Sequence, residues 1–586
     1  MRKIFSFFII ILLSNQVIGQ TNESLNKEVE VVKPYKPTIR ETIKISDMPR
    51  FQPQDTEKPD FNYNVHQQAE IAPGNTDTIR ATRIISEPIK QGIGLIRIGV
   101  GNYQLPYGEL FLNHQISNAT NIGLNFSHLN SVGKITLRND DRVEAPSSET
   151  SAELYLNHYF DKVTAQGRLY FDRQAFRYYG YTGEKLSDDE KRAQMPWWDN
   201  KQAFPTLGFE VNIDGKTELQ NNFKYNGSIN IQHFETATGQ KEGLFKLAGK
   251  LEQDFKYFDG RLNFAVIHVS ADSIYNTSSN YYGKRNQTYI EVRPSVGISS
   301  ESASLRVGVI SIIGIDPNNN ADVIQTPMVD ASWTPIKNKL TLFSEITGHM
   351  KYNHYSATAA ENRYVNPHHD IKSTKYQFII NGGIRGRLDQ SFGYNLKAEY
   401  ASIKNHNFYF LQNQEVQDAN SNIIESVKNN TFDLLYDDIN QFSIGAEILY
   451  NWENEWSALL KATHYIHDSY KQPEAWNLPN FEASLSFRYN MPVEPLRFTA
   501  DINYIGKRKG LEQTNRYNSA TQETTTTSII WNLPAIVDLS VGAEYEFANW
   551  LSFWAKVNNM TTNKYEKWQG YTNKRLNFIA GLSFSF

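Results

Sequence analysis

Phe392-Gly393-Tyr394-Asn395-Leu396-Lys397-Ala398-Glu399-Tyr400 alternates without a fault. Phe392, Tyr394, Leu396, Ala398 and Tyr400 share one parity, and Gly393, Asn395, Lys397 and Glu399 share the other. Successive side chains on a β-strand point to opposite faces, so this stretch makes a ribbon with one apolar and one polar side. The same pattern returns in Phe442–Tyr450, Phe481–Tyr489 and Leu496–Tyr504. From Gly92 to the C-terminus, period two is the dominant signal, and 22 such segments can be counted.

Segment length and spacing separate a soluble sandwich from a membrane barrel. Many segments exceed the ~5–6 residues usual in soluble sheets and reach the ~9–11 that a tilted membrane strand needs. Short connections (Asp161-Lys162, Ser300-Glu301, Lys337-Asn338, Asp389-Gln390 and 451–454) take turns with long ones (177–204, 353–373, 404–440 and 508–533). Outer-membrane barrels have short periplasmic turns and long external loops. With an even strand number and a short turn after every even strand, both barrel ends lie on the periplasmic side. The expected fold is therefore all-β: a transmembrane antiparallel barrel of about 22 strands over residues 92–586, in the cell outer membrane and surrounded by its lipid.

Composition agrees. The chain has 586 residues, 40% hydrophobic and 13% aromatic, with a mean hydropathy of -0.53. That is too polar for a bundle of membrane helices, yet rich in the Tyr, Phe and Trp that one-sided strands carry. A net charge of -4 argues against a nucleic-acid partner on bulk electrostatics. With no cysteine there are no disulfides, thiol nucleophiles or Cys-held metals.

Residues 1–19 read as a cleaved export signal. Met1-Arg2-Lys3 is basic, Ile4–Leu13 is an apolar run too short to span a bilayer, and Val17-Ile18-Gly19 suits cleavage before Gln20. Residues 20–91 read as a disordered periplasmic arm. Pro34, Pro37, Pro49, Pro53, Pro59, Pro73 and Pro88 interrupt any helix or central strand. Within the arm, Val29, Val31, Val32 and Tyr35 form a short extended element suited to adding onto a partner's sheet edge, which makes them the partner-docking candidates.

The polar parity supplies the lumen-facing candidates: Arg168, Lys397, Glu399, Arg488, Arg497, Asp501 and Asn503. Such residues tune selectivity in a porin, or form ordinary cross-strand pairs in a wet interior. Constellations that would carry other chemistry are thin. Pro367-His368-His369-Asp370 lacks a third nearby ligand and reads as a solvated loop. Asp316, Asn318, Asn320 and Asp322 have calcium-loop spacing, but Ala321 and Pro327 exclude an EF-hand. His464 and His467 differ in parity and cannot chelate together. No phosphate loop or nucleophile elbow occurs. No enzyme, cofactor or metal site is expected. Trp197, Trp198, Trp531, Trp550, Trp554 and Trp568 suit interfacial belts, with Trp197-Trp198 alternatively meeting a glycan or a surface protein.

The last fifty residues carry a resemblance. Val537–Phe547, Leu551–Val557, the run Asn558-Asn559-Met560-Thr561 followed by Lys564-Tyr565, and the closing Arg575–Phe586 resemble the end of a TonB-dependent receptor barrel. The resemblance implies a 22-strand outer-membrane barrel that acts as a transporter or channel. That family's globular plug has no legible counterpart in residues 20–91, although Val29–Val32 loosely resembles its energy-coupling segment. The combination looks like plugless outer-membrane proteins of the Bacteroidota. The competing expectation is a scaffold or assembly component that binds periplasmic or surface proteins through its arm and long loops.

Overall fold

The computed structural model describes residues 93–586, except 216–222, 272–273, 277–280, 284–285, 316–320, 367–370, 421 and 454. The export signal, the arm and its docking candidates Val29, Val31, Val32 and Tyr35 lie outside the described residues. So do Pro367–Asp370 and most of the 316–322 loop.

Twenty-two antiparallel strands form one closed barrel. The first eight are β1 Gly94–Gly101, β2 Gln104–Ser117, β3 Thr120–Ser131, β4 Ser147–Tyr159, β5 Val163–Arg177, β6 Lys201–Gly215, β7 Phe223–Glu235 and β8 Lys241–Asp254. Next come β9 Asp259–Ala271, β10 Gln287–Ser299, β11 Ala303–Ile315, β12 Ala321–Ile336, β13 Leu340–Lys351, β14 Thr374–Arg387 and β15 Phe392–Gln417. The last seven are β16 Phe432–Trp452, β17 Trp456–Ser469, β18 Phe481–Asn490, β19 Leu496–Ile505, β20 Ile536–Ala548, β21 Leu551–Asn558 and β22 Asn577–Ser585. Each coincides with a segment read from alternation.

Closure follows from β22 pairing with β1, from Leu95↔Ser585 to Gly101↔Ile579. Beyond the ladder, Gly94 and Phe586 exchange backbone hydrogen bonds of 2.9 and 3.0 Å. An open edge in lipid would leave these groups unpaired, at several kcal/mol each. Gly581 is required at the seam because a Cβ there would run into the Ile98 carbonyl.

Turns after even strands are short and loops after odd strands are mostly long, which puts the long-loop end outside the cell. One row of each strand is exposed and apolar, as in Leu396, Phe442, Ile444, Leu460 and Ile502. Aromatics crowd the turn end: Tyr159, Phe160, Phe255, Tyr257, Trp333, Trp452, Trp456, Phe547, Trp550 and Phe586 are all exposed there. Apolar rows bounded by such a girdle are the surface a bilayer selects. The barrel therefore belongs to the outer membrane.

Two stretches expected as loops are instead strands. β15 and β16 continue beyond the bilayer, so 404–417 and 432–440 remain paired. A bulge between Ile403 and His406, with Asn405 at φ 51°, re-aims β15 so that it can continue. Within 508–533, Arg508–Asn518 and Glu523–Leu533 form a hairpin. The hairpin lies parallel to the upper part of β15, from Phe410↔Leu511 to Gln417↔Asn518.

Candidate functional site: a charged lumen under a loop-built cap

The polar parity of the wall is laced with ion pairs. Arg168 on β5 reaches Glu153 on β4 at 3.3 Å and Glu210 on β6 at 2.6 Å, with its guanidinium over Tyr170. Lys397 pairs with Glu399 at 3.6 Å. Asp501 faces Lys556 at 3.9 Å, and Arg497 donates to Asn490 at 3.1 Å. Arg488 sits opposite Thr499, and Asn503 opposite both Ser484 and Asp538, all in register. All seven candidates lie on the face opposite the exposed apolar row, but spread round the wall rather than gathered at one point. Each charge has an oppositely charged or polar neighbour within the wall, and the set builds no concentrated pocket. Among the described residues no group of His, Asp and Glu has metal-holding geometry.

The concentrated structure is above the lumen. The outer ends of β5, β6, β7, β15 and β16 and the loops after β3, β5, β13 and β21 share one buried core, which includes Leu137, Phe176, Tyr178, Tyr364, Phe432 and Tyr571. Tyr364, from the loop after β13, stacks on Tyr571, from the loop after β21, with ring centroids 3.5 Å apart. Tyr179, from the loop after β5, meets both edge-on at 6.0 and 5.1 Å. β5, β13 and β21 stand 8, 8 and 6 strands apart around the 22-strand ring, so loops rooted on all three can meet only by reaching over the mouth. The cap is that span.

Buried charges pin the cap and are satisfied from several loops at once. Glu242, at the outer end of β8, accepts from the Tyr355 N–H at 2.8 Å and the Ser356 hydroxyl at 2.6 Å, and contacts His354 Nδ1 at 2.7 Å. It thereby caps helix α2, Tyr355–Glu361, whose own preceding residue His354 makes no side-chain cap. Glu512 accepts from Thr182, Asn413, Trp531 and Gln569, which come from four separate stretches of chain. Asp141 accepts from Tyr181 at 2.8 Å and pairs with Lys191 of helix α1, Asp188–Gln194, at 2.6 Å. Both members of that pair are buried. Burial alone would raise the Asp141 carboxyl, but Lys191 and Tyr181 outweigh it and hold it below the ordinary range. Arg508 donates to the carbonyls of Lys567 and Glu566, at 2.6 Å each. Burial pushes Lys567 down to about 8; Glu361 opposes the shift and Arg508 reinforces it.

Four tryptophans expected at interfacial belts serve inside instead. Trp197 packs on Tyr178, Trp198 on Tyr181, and Trp568 on Tyr409 and Phe432, all within the cap. Trp554 is buried against Tyr107 and under Arg97 on the lumen side. Trp531 donates to Glu512, and only Trp550 of the six remains at the turn-end girdle. The loops' long runs of Tyr and Trp were the available signal, because solvated loops seldom hold so many large rings.

No family model matches the chain, and no curated protein matches it. Among solved structures, the FrpB iron transporter from Neisseria meningitidis is similar at a TM-score of 0.60 and 10% identity, covering 85% of this chain and 82% of that one. The ferripyoverdine receptor of the outer membrane of Pseudomonas aeruginosa gives 0.58 and 12%, covering 86% and 72%. The copper transporter OprC gives 0.57 and 9%, covering 84% and 80%. At such identities the likeness is one of fold. The barrel is TonB-dependent-receptor-like in architecture.

Proposed function

We propose that the protein is an outer-membrane transporter or channel whose path is the charged lumen and whose outer mouth the loop cap closes. The observation that carries this reading is the Tyr364–Tyr571 stack joined by Tyr179, which ties together over the opening three loops rooted 8, 6 and 8 strands apart around the 22-strand ring. Solved structures of the same fold are named as transporters and receptors, and none of the three compared is named as an enzyme. In this reading Arg168, Lys397, Glu399, Arg488, Arg497, Asp501 and Asn503 set the charge preference of the path. Residues 1–19 serve as export signal, and residues 20–91 as a periplasmic arm that docks a partner through Val29, Val31, Val32 and Tyr35.

Planar-bilayer recording tests the proposal. The intact chain should show no large steady conductance, and Tyr364→Ala together with Tyr571→Ala should open one. A barrel that stays silent after the cap is loosened favours the scaffold reading. A wild-type barrel that conducts steadily is a passive porin. Deleting residues 21–80 should leave the barrel assembled and remove only the partner.

A further inference from the structure

Above the membrane, the hairpin 508–533 presents two unlike strands. Arg508–Asn518 is largely buried against β15, and its Glu512 accepts four hydrogen bonds from the surrounding stretches. Arg516 pins it further through Glu415 at 2.7 Å. Glu523–Leu533 pairs with that strand along eleven residues without a bulge. Among the described residues no second strand pairs with it, and near its end the Asn532 carbonyl accepts from Arg138 at 3.3 Å. Glu523 to Ile530 are exposed without interruption, on both faces.

Proteins usually protect a sheet edge with lysine, proline, a bulge or brevity. The other free strand of this external sheet, Ile423–Val427, is short and joins at a register break beside Val416. Glu523–Leu533 has none of these devices: it is long and regular, and beyond Glu523 it carries no charge and no proline. Thr524 to Thr527, Ile529 and Ile530 are β-branched, so the extended conformation comes from the side chains' own preference rather than from packing. A strand held straight without a core behind it loses little freedom on binding.

We propose that Glu523–Leu533 is a docking edge on the cell's outer face, which takes an uncharged, extended polypeptide segment by strand addition. The chemistry selects the occupant. Only a peptide backbone offers donors and acceptors at the spacing of the free ladder, and the absence of charge along the edge favours a segment without charge. Ile529 and Ile530, about half exposed and on alternate faces, give the incoming strand an apolar contact on either side.

The test uses the full chain in detergent micelles and a fluorescein-labelled, lysine-capped peptide of alternating threonine and valine. Fluorescence anisotropy should report binding. The same peptide N-methylated throughout should not bind, since its side chains remain but its donors are gone. Thr526→Pro should weaken binding roughly tenfold, as expected for losing ladder hydrogen bonds. Thr527→Lys, which leaves the backbone intact, should weaken it in the same direction, with unchanged Trp fluorescence showing that the hairpin still stands. Absence of binding by the plain peptide, or equal binding by the methylated one, overturns the proposal. Self-association of the chain that excludes the peptide and disappears in Thr526→Pro also overturns it, because the occupant is then a second copy.

Discussion

In the wall, Leu396 lies opposite Ile384 on one side and Ala446 on the other, and all three repeat a rule visible within any ten residues of sequence. In the cap, Tyr364 stacks on a tyrosine more than two hundred positions away, with a third ring from a loop rooted 8 strands away. The wall satisfies its backbone through neighbouring strands and its side chains through lipid or lumen water. The cap satisfies buried carboxylates, at Glu242 and Glu512, from several loops at once. Local periodicity therefore builds the wall, and non-local packing builds the cap.

The largest expected effect belongs to the wall. Deleting Phe584–Phe586 removes the Ile96 and Leu95 partners and the Gly94–Phe586 exchange, leaving the end of β1 unpaired in lipid. Stable assembly should fail outright, as read by loss of heat-modifiable migration in gels. A normally folded barrel after this deletion would break the claim that the seam is essential.

Next comes Phe432→Ala, at the centre of the cap's core and fully buried. It should cost about 3–5 kcal/mol of local packing, since the rings of Trp568 and Tyr571 lose a shared neighbour. The barrel should still assemble while conductance rises. Equal loss of both would show that wall and cap form one cooperative unit rather than two.

Leu396→Arg tests the wall side by side. It should cost about 2–4 kcal/mol near the bilayer midplane, measured by denaturant titration in liposomes. Lys397→Leu, one residue on and on the lumen parity, should cost far less. The reverse order would mean that the face assignment is inverted along the whole strand.

These contrasts explain what the sequence made legible. All 22 strands and the apolar row could be read because lipid and lumen impose period two on Phe392–Tyr400 and on every segment like it. The extension of β15 past Ile403 could not, because Phe408 to Leu411 are buried on both faces by loops that arrive from elsewhere. The same cause misled the tryptophans: Trp197 and Trp198 look like belt residues until the loop that carries them folds over the mouth. The roles of Glu512 and Asp141 were not legible, since their partners lie in other loops.

The Asp141–Lys191 pair separates the regions by pH. Asp141 titrates below its usual value and Lys191 above its own, where hydrogen bonds and charge from Asp141 outweigh the burial that opposes them. A lowered carboxyl contributes stability above its unfolded pKa of ~3.9 and loses it as pH falls through the folded value. A raised lysine contributes below ~10.4 and loses it as pH rises through its folded value. The cap should therefore hold between these limits and loosen in acid before the wall does, with conductance appearing below about pH 4. Asp141→Asn should cost about 2 kcal/mol, less than a fully enclosed pair because the cap borders water, and should remove the acid step.

The smallest effect isolates one turn of helix. Ser187 caps α1 by accepting from the Glu190 N–H at 3.3 Å, while Glu190 reaches back to the Ser187 N–H at 2.8 Å. Ser187→Ala removes one arm of this capping box and leaves the Asp141–Lys191 pair and the Lys428 N–H donated to the Gln194 carbonyl at 2.8 Å as anchors of the helix. The helix should fray more often without leaving its place, so amide exchange across 188–194 should rise roughly fivefold. Exchange in β5 and β6, which flank the loop, should not change, and neither should conductance. A change that spreads into those strands would show that the cap's stability is transmitted to the wall. A change confined to α1 would show that the mouth is closed by many independent small contacts laid over a scaffold that does not depend on them.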